Sequence, residues 1–75
     1  MRASFERLDA GTTITMFPKD GRMVVRLETK GDYTERGFKD IAEAHEVFQK
    51  LISWIIYGFY SDKSRHEYLA TGTMR

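Results

Sequence analysis

The residues from 40 to 60 constrain the fold most, because they are the one segment long and periodic enough to predict an α-helix. They read DIAEAHEVFQKLISWIIYGFY. Asp40 is a suitable N-cap for this helix, and Gly58 is a suitable stop for its last turn. Apolar residues recur at the spacing of one helix face, namely Ile41, Ala44, Phe48, Leu51, Ile52, Ile55 and Phe59. A helix with such a stripe has to bury it against another part of the chain.

The residues before this helix predict β-strands joined by tight turns. Three runs combine β-branched and apolar residues with period-2 alternation: 12–17, 23–29 and 33–38. Asp20-Gly21 lies between the first two runs, and the turn sequence 30–32 lies between the second and the third. The segment 1–9 precedes another turn signal, and we interpret it as an extended strand rather than a short helical turn.

The alternation assigns two faces to the predicted sheet. One face is apolar and can receive the helix stripe; it consists of Ile14, Met16, Met23, Val25 and Leu27. The other face is mixed and can stay open to water. It consists of Thr13, Thr15, Phe17, Val24, Arg26 and Glu28, with Tyr33 and Glu35 from the third run. The sequence therefore predicts an α+β fold: an antiparallel meander of three or four strands with one long amphipathic helix packed on one face.

Length and charge exclude several classes of protein. A chain of 75 residues forms one small domain, 1–75, in which the polar stretch 61–75 is either a short second helix or a frayed tail. Twelve basic and eleven acidic residues give a net charge of +1, without the basic excess of proteins that wrap nucleic acid. The chain has no cysteine, no apolar leader, and no apolar run of the about 20 residues that span a membrane. We therefore expect a cytoplasmic protein that does not engage a membrane.

No motif in the sequence predicts catalysis, a metal site or a cofactor. His45 lies at the boundary of the apolar helix stripe, where we expect partial burial, and His66 lies in the polar C-terminal stretch, where we expect it to be solvated. The chain has neither a cysteine nucleophile nor a Gly-x-Ser-x-Gly turn. It also lacks the HExxH, EF-hand and glycine-rich phosphate-binding patterns. We expect a protein that is not an enzyme.

Two predicted surfaces suit the recognition of a partner. The first is the open face of the sheet, where aromatic and charged side chains project from rigid strands. We predict that it binds a partner through Phe17, Arg26, Glu28, Tyr33 and Glu35.

The second surface is the C-terminal half of the helix, which is apolar nearly all round. Val47, Trp54 and Tyr57 lie off the main stripe, so that one sheet cannot cover them as well. Either the N-terminal segment and the residues around Tyr68 and Leu69 pack on Trp54, or the patch meets a second copy of the chain in a homodimer.

The order of the motifs resembles that of a known group of inhibitors. ITMF, an Asp-Gly turn, MVVRLE, ERGF and a helix with the pattern W-x-x-Y-G follow one another between Ile14 and Gly58. This arrangement is similar to that of small phage-encoded anti-CRISPR proteins, which inhibit type I surveillance complexes. The resemblance implies that Phe17 and Glu28 lie on a face that grips a subunit of a host protein or ribonucleoprotein complex.

A second interpretation uses the basic residues near the first hairpin. They are Lys19, Arg22, Arg26, Lys30, Arg36 and Lys39. Together with aromatic stacking platforms they could hold a single-stranded nucleic acid. Acidic residues are interspersed among them, so we prefer a protein partner to nucleic acid as the direct ligand.

Overall fold

A four-stranded antiparallel sheet takes up the first half of the chain, and two helices follow it. The computed structural model describes residues 4–9 by their backbone and residues 11–73 in full. The elements are β1 (Ser4–Asp9), β2 (Thr12–Lys19), β3 (Arg22–Thr29), β4 (Asp32–Phe38), α1 (Ile41–Tyr57) and α2 (Asp62–Thr71). The strands lie in the order β1-β2-β3-β4, so that sequence neighbours pair. The predicted α+β meander is confirmed with four strands. The interpretation of the N-terminal segment as a strand is correct for residues 4–9, and residues 1–3 lie outside the described residues.

Two tight turns set the register of the sheet. Asp20 and Gly21 connect β2 to β3 with φ angles of 53° and 77°, and Lys30 and Gly31 connect β3 to β4 with φ angles of 49° and 91°. Positive φ at both central residues is the mark of a type I′ turn, whose twist matches that of the flanking strands. Both predicted turns are therefore formed, and the second one holds a lysine in a left-handed conformation.

Lys30 offers a test of this turn. Replacement by asparagine is expected to raise the free energy of unfolding by roughly 0.5–1 kcal/mol, because asparagine tolerates the left-handed region that costs other L-residues about 1–2 kcal/mol. Lys30→Val is the matched control and is expected to lower it, since a β-branched side chain fits that region poorly. Urea denaturation of the three proteins measures both changes. Equal midpoints for the asparagine and valine variants would contradict the type I′ geometry.

The core lies between one face of the sheet and the two helices. Every residue assigned to the apolar face is buried there, which confirms the predicted faces. Among the residues whose side chains are described, the cluster is Ile14, Met16, Met23, Val25, Leu27, Phe38, Ala44, Val47, Phe48, Leu51 and Leu69. Ile41 and Phe59, at the two ends of the predicted helix stripe, are exposed. The stripe therefore reaches the sheet only in its middle.

Both ends of α1 are capped. The Asp40 carboxylate accepts the N–H of Ala42 at 3.0 Å. Gly58 takes the left-handed conformation with φ 75°. Its N–H donates to the carbonyl of Ile55 at 3.4 Å, and the N–H of Phe59 donates to that of Trp54 at 2.8 Å. This pair of bonds is a Schellman motif, so the helix ends at Tyr57 and the predicted stop at Gly58 is confirmed.

A second helix follows, so the prediction of one long helix is incomplete. Ser61 caps α2 by accepting the N–H of Ser64 at 3.1 Å. Leu69 is fully buried in the core. At the far end, the guanidinium of Arg36 lies so close to Gly72 that a Cβ there would come within 2.5 Å of it. A positive charge at a helix C-terminus is favourable. Of the two alternatives for the C-terminal stretch, the helix is the one that forms.

Candidate protein-binding surface

The face of the sheet that points away from both helices carries the predicted partner-binding residues. The strand register places Arg26 opposite Glu35, Glu28 opposite Tyr33 and Phe17 opposite Val24. Alternation along each strand puts all of these side chains on one face. Phe17, Arg26 and Glu35 are half-buried, and Tyr33 and Glu28 are exposed. The structure thus brings the predicted set onto one surface.

This face is not open along its whole length. Val24 is buried, although we expected it on the solvated side. The Arg22 side chain lies over Gly37, 3.1 Å from the position that a Cβ atom would take there. The side chain of Val24 lies 3.9 Å from the same position. The absence of a side chain at residue 37 allows the arginine stem to lie flat and to cover the valine.

Arg26, Tyr33 and Glu35 form one contact group, which we call the Arg26 cluster. The guanidinium of Arg26 lies 4.0 Å from the centre of the Tyr33 ring. Its Nε lies 3.5 Å from Oε2 of Glu35, within ion-pair distance. That nitrogen is buried and has no hydrogen-bond partner among the described residues. Tyr33 is the diagonal cross-strand neighbour of Arg26, a separation that long and aromatic side chains can bridge.

The contacts within the Arg26 cluster orient its side chains. A cation–π contact and an ion pair link the three side chains across paired strands. Ordering such side chains is one of the costs of association, so a surface that is already fixed binds with a smaller entropy loss. Arginine and tyrosine are also residue types that often dominate the energy of protein interfaces. About a third of the Arg26 side chain is still exposed, at 35%.

The basic residues do not form one surface. Lys19 and Arg22 pair across the end of β2 and β3, on the open face. Arg36 lies on the opposite side of the sheet, where its guanidinium is 5.0 Å from the Phe38 ring centre. Arg26 is already engaged by Glu35. The sheet therefore separates Arg36 from Lys19, Arg22 and Arg26.

His66 is placed differently from the sequence-based expectation. Its Nδ1 lies 2.7 Å from the Thr34 hydroxyl, and its Nε2 lies 3.2 Å from the Thr29 hydroxyl. Only 17% of its side chain is exposed, so the expectation of a solvated residue is wrong. The Thr29 hydroxyl donates to Asp62 Oδ1 at 3.0 Å. The Thr29 hydroxyl oxygen therefore accepts from Nε2, and in the neutral ring the Thr34 hydroxyl donates to Nδ1.

The hydrogen bonds of this network join α2 to β3 and β4, and their arrangement resembles a structural contact more than a catalytic site. Asp62 Oδ2 is 3.7 Å from Nε2 of His66, which is too long for a hydrogen bond. The carboxylate does not orient the ring directly, as the acid of a Ser-His-Asp site does. The signal available in the sequence was the four-residue spacing of Asp62 and His66 on a helix. His45, by contrast, is exposed on α1 rather than partly buried.

The three residues of the predicted self-association patch differ in how far they are buried. Val47 is 8% exposed and belongs to the core, so its assignment to a free surface is wrong. Trp54 is half-buried, because the rings of Tyr60 and Tyr68 meet it edge-on at 4.8 and 4.9 Å between centroids. Tyr57 alone of the three is exposed, at 73%. α2 therefore covers part of α1 beside the sheet, through the contact of Tyr68 with Trp54.

No three acidic, histidine or cysteine side chains of the described residues lie together where they could hold a metal ion. No helix among the same residues is both long and apolar enough to cross a bilayer.

Comparison with known proteins adds no relative. No family model matches the chain, and neither the curated proteins nor the solved structures gave a match. The resemblance to anti-CRISPR proteins therefore stays a prediction from the residues alone.

Proposed function

We propose that this chain is a non-enzymatic protein-binding module that acts by occupying the surface of a partner. The observation that carries the proposal is the Arg26 cluster, in which Arg26, Tyr33 and Glu35 are fixed to one another on the uncovered face of a rigid sheet. Such a cluster presents a planar ring, a cation and an anion in constant positions. This combination suits a protein surface of mixed charge better than an extended polyanion.

The partner that we propose is a subunit of a type I surveillance complex, so that the chain acts as a phage-type anti-CRISPR inhibitor in the cytoplasm. The order of strands and helix between Ile14 and Gly58 supports this choice through the resemblance described above. Phe17 and Glu28, the residues that the resemblance assigns to the contact, share a face with the Arg26 cluster. Binding of this kind blocks a complex by steric exclusion and needs no cofactor.

Tyr33→Ala is expected to weaken binding to the target by about 30-fold or more, because truncation of a central aromatic anchor typically costs at least about 2 kcal/mol. The fold should be unaffected, since Tyr33 is exposed. Gln49→Ala, on the exposed side of α1, is the matched control and should bind as the unmodified chain does. Titration against a purified type I complex measures the affinity, and a plasmid-interference assay measures the inhibition.

The outcomes of this experiment separate the general proposal from the specific one. Equal binding by the Tyr33→Ala and unmodified proteins would contradict the role of the Arg26 cluster. Failure to bind the complex, with Tyr33-dependent capture of another protein, would reject the anti-CRISPR assignment and leave the binding module. A steep loss of binding as salt rises, with nucleic acid as the captured species, would favour the alternative interpretation.

A further inference from the structure

Exposed apolar side chains are concentrated where α1 turns into α2. Six large hydrophobic residues are exposed in the described part of the chain, and four of them lie within residues 56–60. We call these four the aromatic corner: Ile56, Tyr57, Phe59 and Tyr60. Single exposed apolar residues are ordinary, but a contiguous group of this kind marks an interaction site.

The corner is held in one conformation by its own backbone. Tyr60 has a φ of 65°, in the left-handed region that a non-glycine residue seldom occupies. The Arg65 side chain stabilises this turn, since its Nε donates to the carbonyl of Phe59 at 3.0 Å and its Nη2 to that of Tyr60 at 2.7 Å. The ring of Tyr60 also packs edge-on against the ring of Trp54. A disfavoured turn that is clamped in this way presents its rings without the freedom to fold them back.

The area of the corner is suited to a protein interface. With about 200 Å² for each free side chain of this size, the exposed fractions leave roughly 500 Å² of apolar surface. This is about a tenth of the 4987 Å² surface of the chain and more than half of the about 800 Å² that one partner contributes to a standard interface.

The distribution of charged residues around the aromatic corner indicates what binds there. Lys50 is the one charged residue between positions 47 and 61. Depletion of charge is typical of the centre of protein interfaces, whereas peripheral membrane binding relies on rows of lysine and arginine. Of the basic residues that follow the corner in α2, Arg65 is occupied by the two carbonyl groups that it clamps, and Lys63 is exposed. The four residues of the aromatic corner carry no charge, so the same residues of a second copy can meet them across a two-fold axis without like-charge repulsion.

We propose that the aromatic corner is the interface of a homodimer, in which Ile56, Tyr57, Phe59 and Tyr60 pack on the same residues of a second copy around a two-fold axis. The interface is separate from the Arg26 cluster, so each copy keeps its own uncovered sheet face. The proposal does not depend on the identity of the partner bound by that face.

Sedimentation equilibrium tests the proposal with a matched pair of tyrosines. The unmodified chain is expected to sediment as two copies of the 8.8 kDa chain. Tyr57→Lys is expected to raise the dissociation constant by about 30-fold or more, and Ile56→Lys should act in the same direction. Tyr33→Lys changes a comparably exposed tyrosine on the sheet and should leave the dimer intact. Circular dichroism confirms that each variant is folded.

Two results would overturn the proposal. One is an unmodified chain that stays monomeric up to millimolar concentration, including the case in which it sediments with vesicles of phosphatidylcholine and phosphatidylglycerol. The other is a dimer that Tyr57→Lys and Tyr33→Lys affect equally. Loss of the dimer in the two corner variants alone would support it.

Discussion

Replacing Leu51 by alanine is expected to lower the free energy of unfolding by about 2–5 kcal/mol. Leu51 is fully buried in the middle of α1, where the helix faces the sheet. The substitution removes apolar area and leaves a cavity that a sheet fixed by two tight turns cannot close. A domain of 75 residues is stable by only about 4–11 kcal/mol, so this one change removes a large share of its stability.

Urea denaturation followed by Trp54 fluorescence measures the effect of Leu51→Ala. The chain contains one tryptophan, which lies one helical turn from the substituted position and reports on the same packing. Gln49→Ala, exposed on the same helix, should change the free energy of unfolding by no more than about 0.5 kcal/mol. If the two variants unfold at the same urea concentration, α1 does not pack on the sheet as described.

Leu69→Ala is expected to have an effect of similar size, about 2–5 kcal/mol, although it lies only a few residues from the C-terminus. Leu69 is fully buried and is the residue through which α2 joins the core. Its loss should also loosen the contact of Tyr68 with Trp54. We therefore expect a lower unfolding midpoint together with a shift in tryptophan emission toward that of a solvated ring.

The control for Leu69→Ala is Glu67→Ala, an exposed position on the same helix. Glu67 accepts a bond from Thr71 through its backbone carbonyl, which the substitution retains. We expect Glu67→Ala to change the free energy of unfolding little. A chain that ends at residue 61 and unfolds at the same urea concentration as the full chain would show that α2 is a dispensable tail.

The strands and turns were predictable from the sequence because their signals are local. Alternation over 12–17 and 23–29, with an Asp-Gly pair between them, depends on neighbouring residues alone. The same local rules gave the two faces of the sheet and the caps of α1. The left-handed Gly58 ends α1 where a glycine stop is expected, although the apolar run continues to Tyr60.

The burial of Val47 and the position of His66 were not predictable in this way. Val47 belongs to the core cluster to which α2 contributes Leu69, and His66 lies on α2 itself. The sequence of α2 is polar and has no apolar stripe apart from Tyr68 and Leu69. Its capping serine and its packing on Trp54 stabilise it, not an amphipathic pattern. A helix of this kind is specified by tertiary contacts that propensity rules do not contain.

The arrangement of the candidate site was predictable from the sequence only in part. The sequence predicted that Arg26, Tyr33 and Glu35 share one face, and the structure places them there. It did not predict that they touch, because contact depends on the register between β3 and β4. That register was available in principle: a two-residue turn at Lys30-Gly31 pairs Thr29 with Asp32 and so sets Arg26 opposite Glu35.

The succession of the strands has a consequence for how the chain reaches its native state. Because every strand pairs with the next one along the chain, the partners in each ladder are separated by short loops. The sheet therefore has a low contact order, and little loop-closure entropy is lost before each hairpin is stabilised. Each hairpin can nucleate on its own turn, and α1 then condenses on a template that is already partly assembled. Rapid folding from a nascent chain is thus a property of the topology itself.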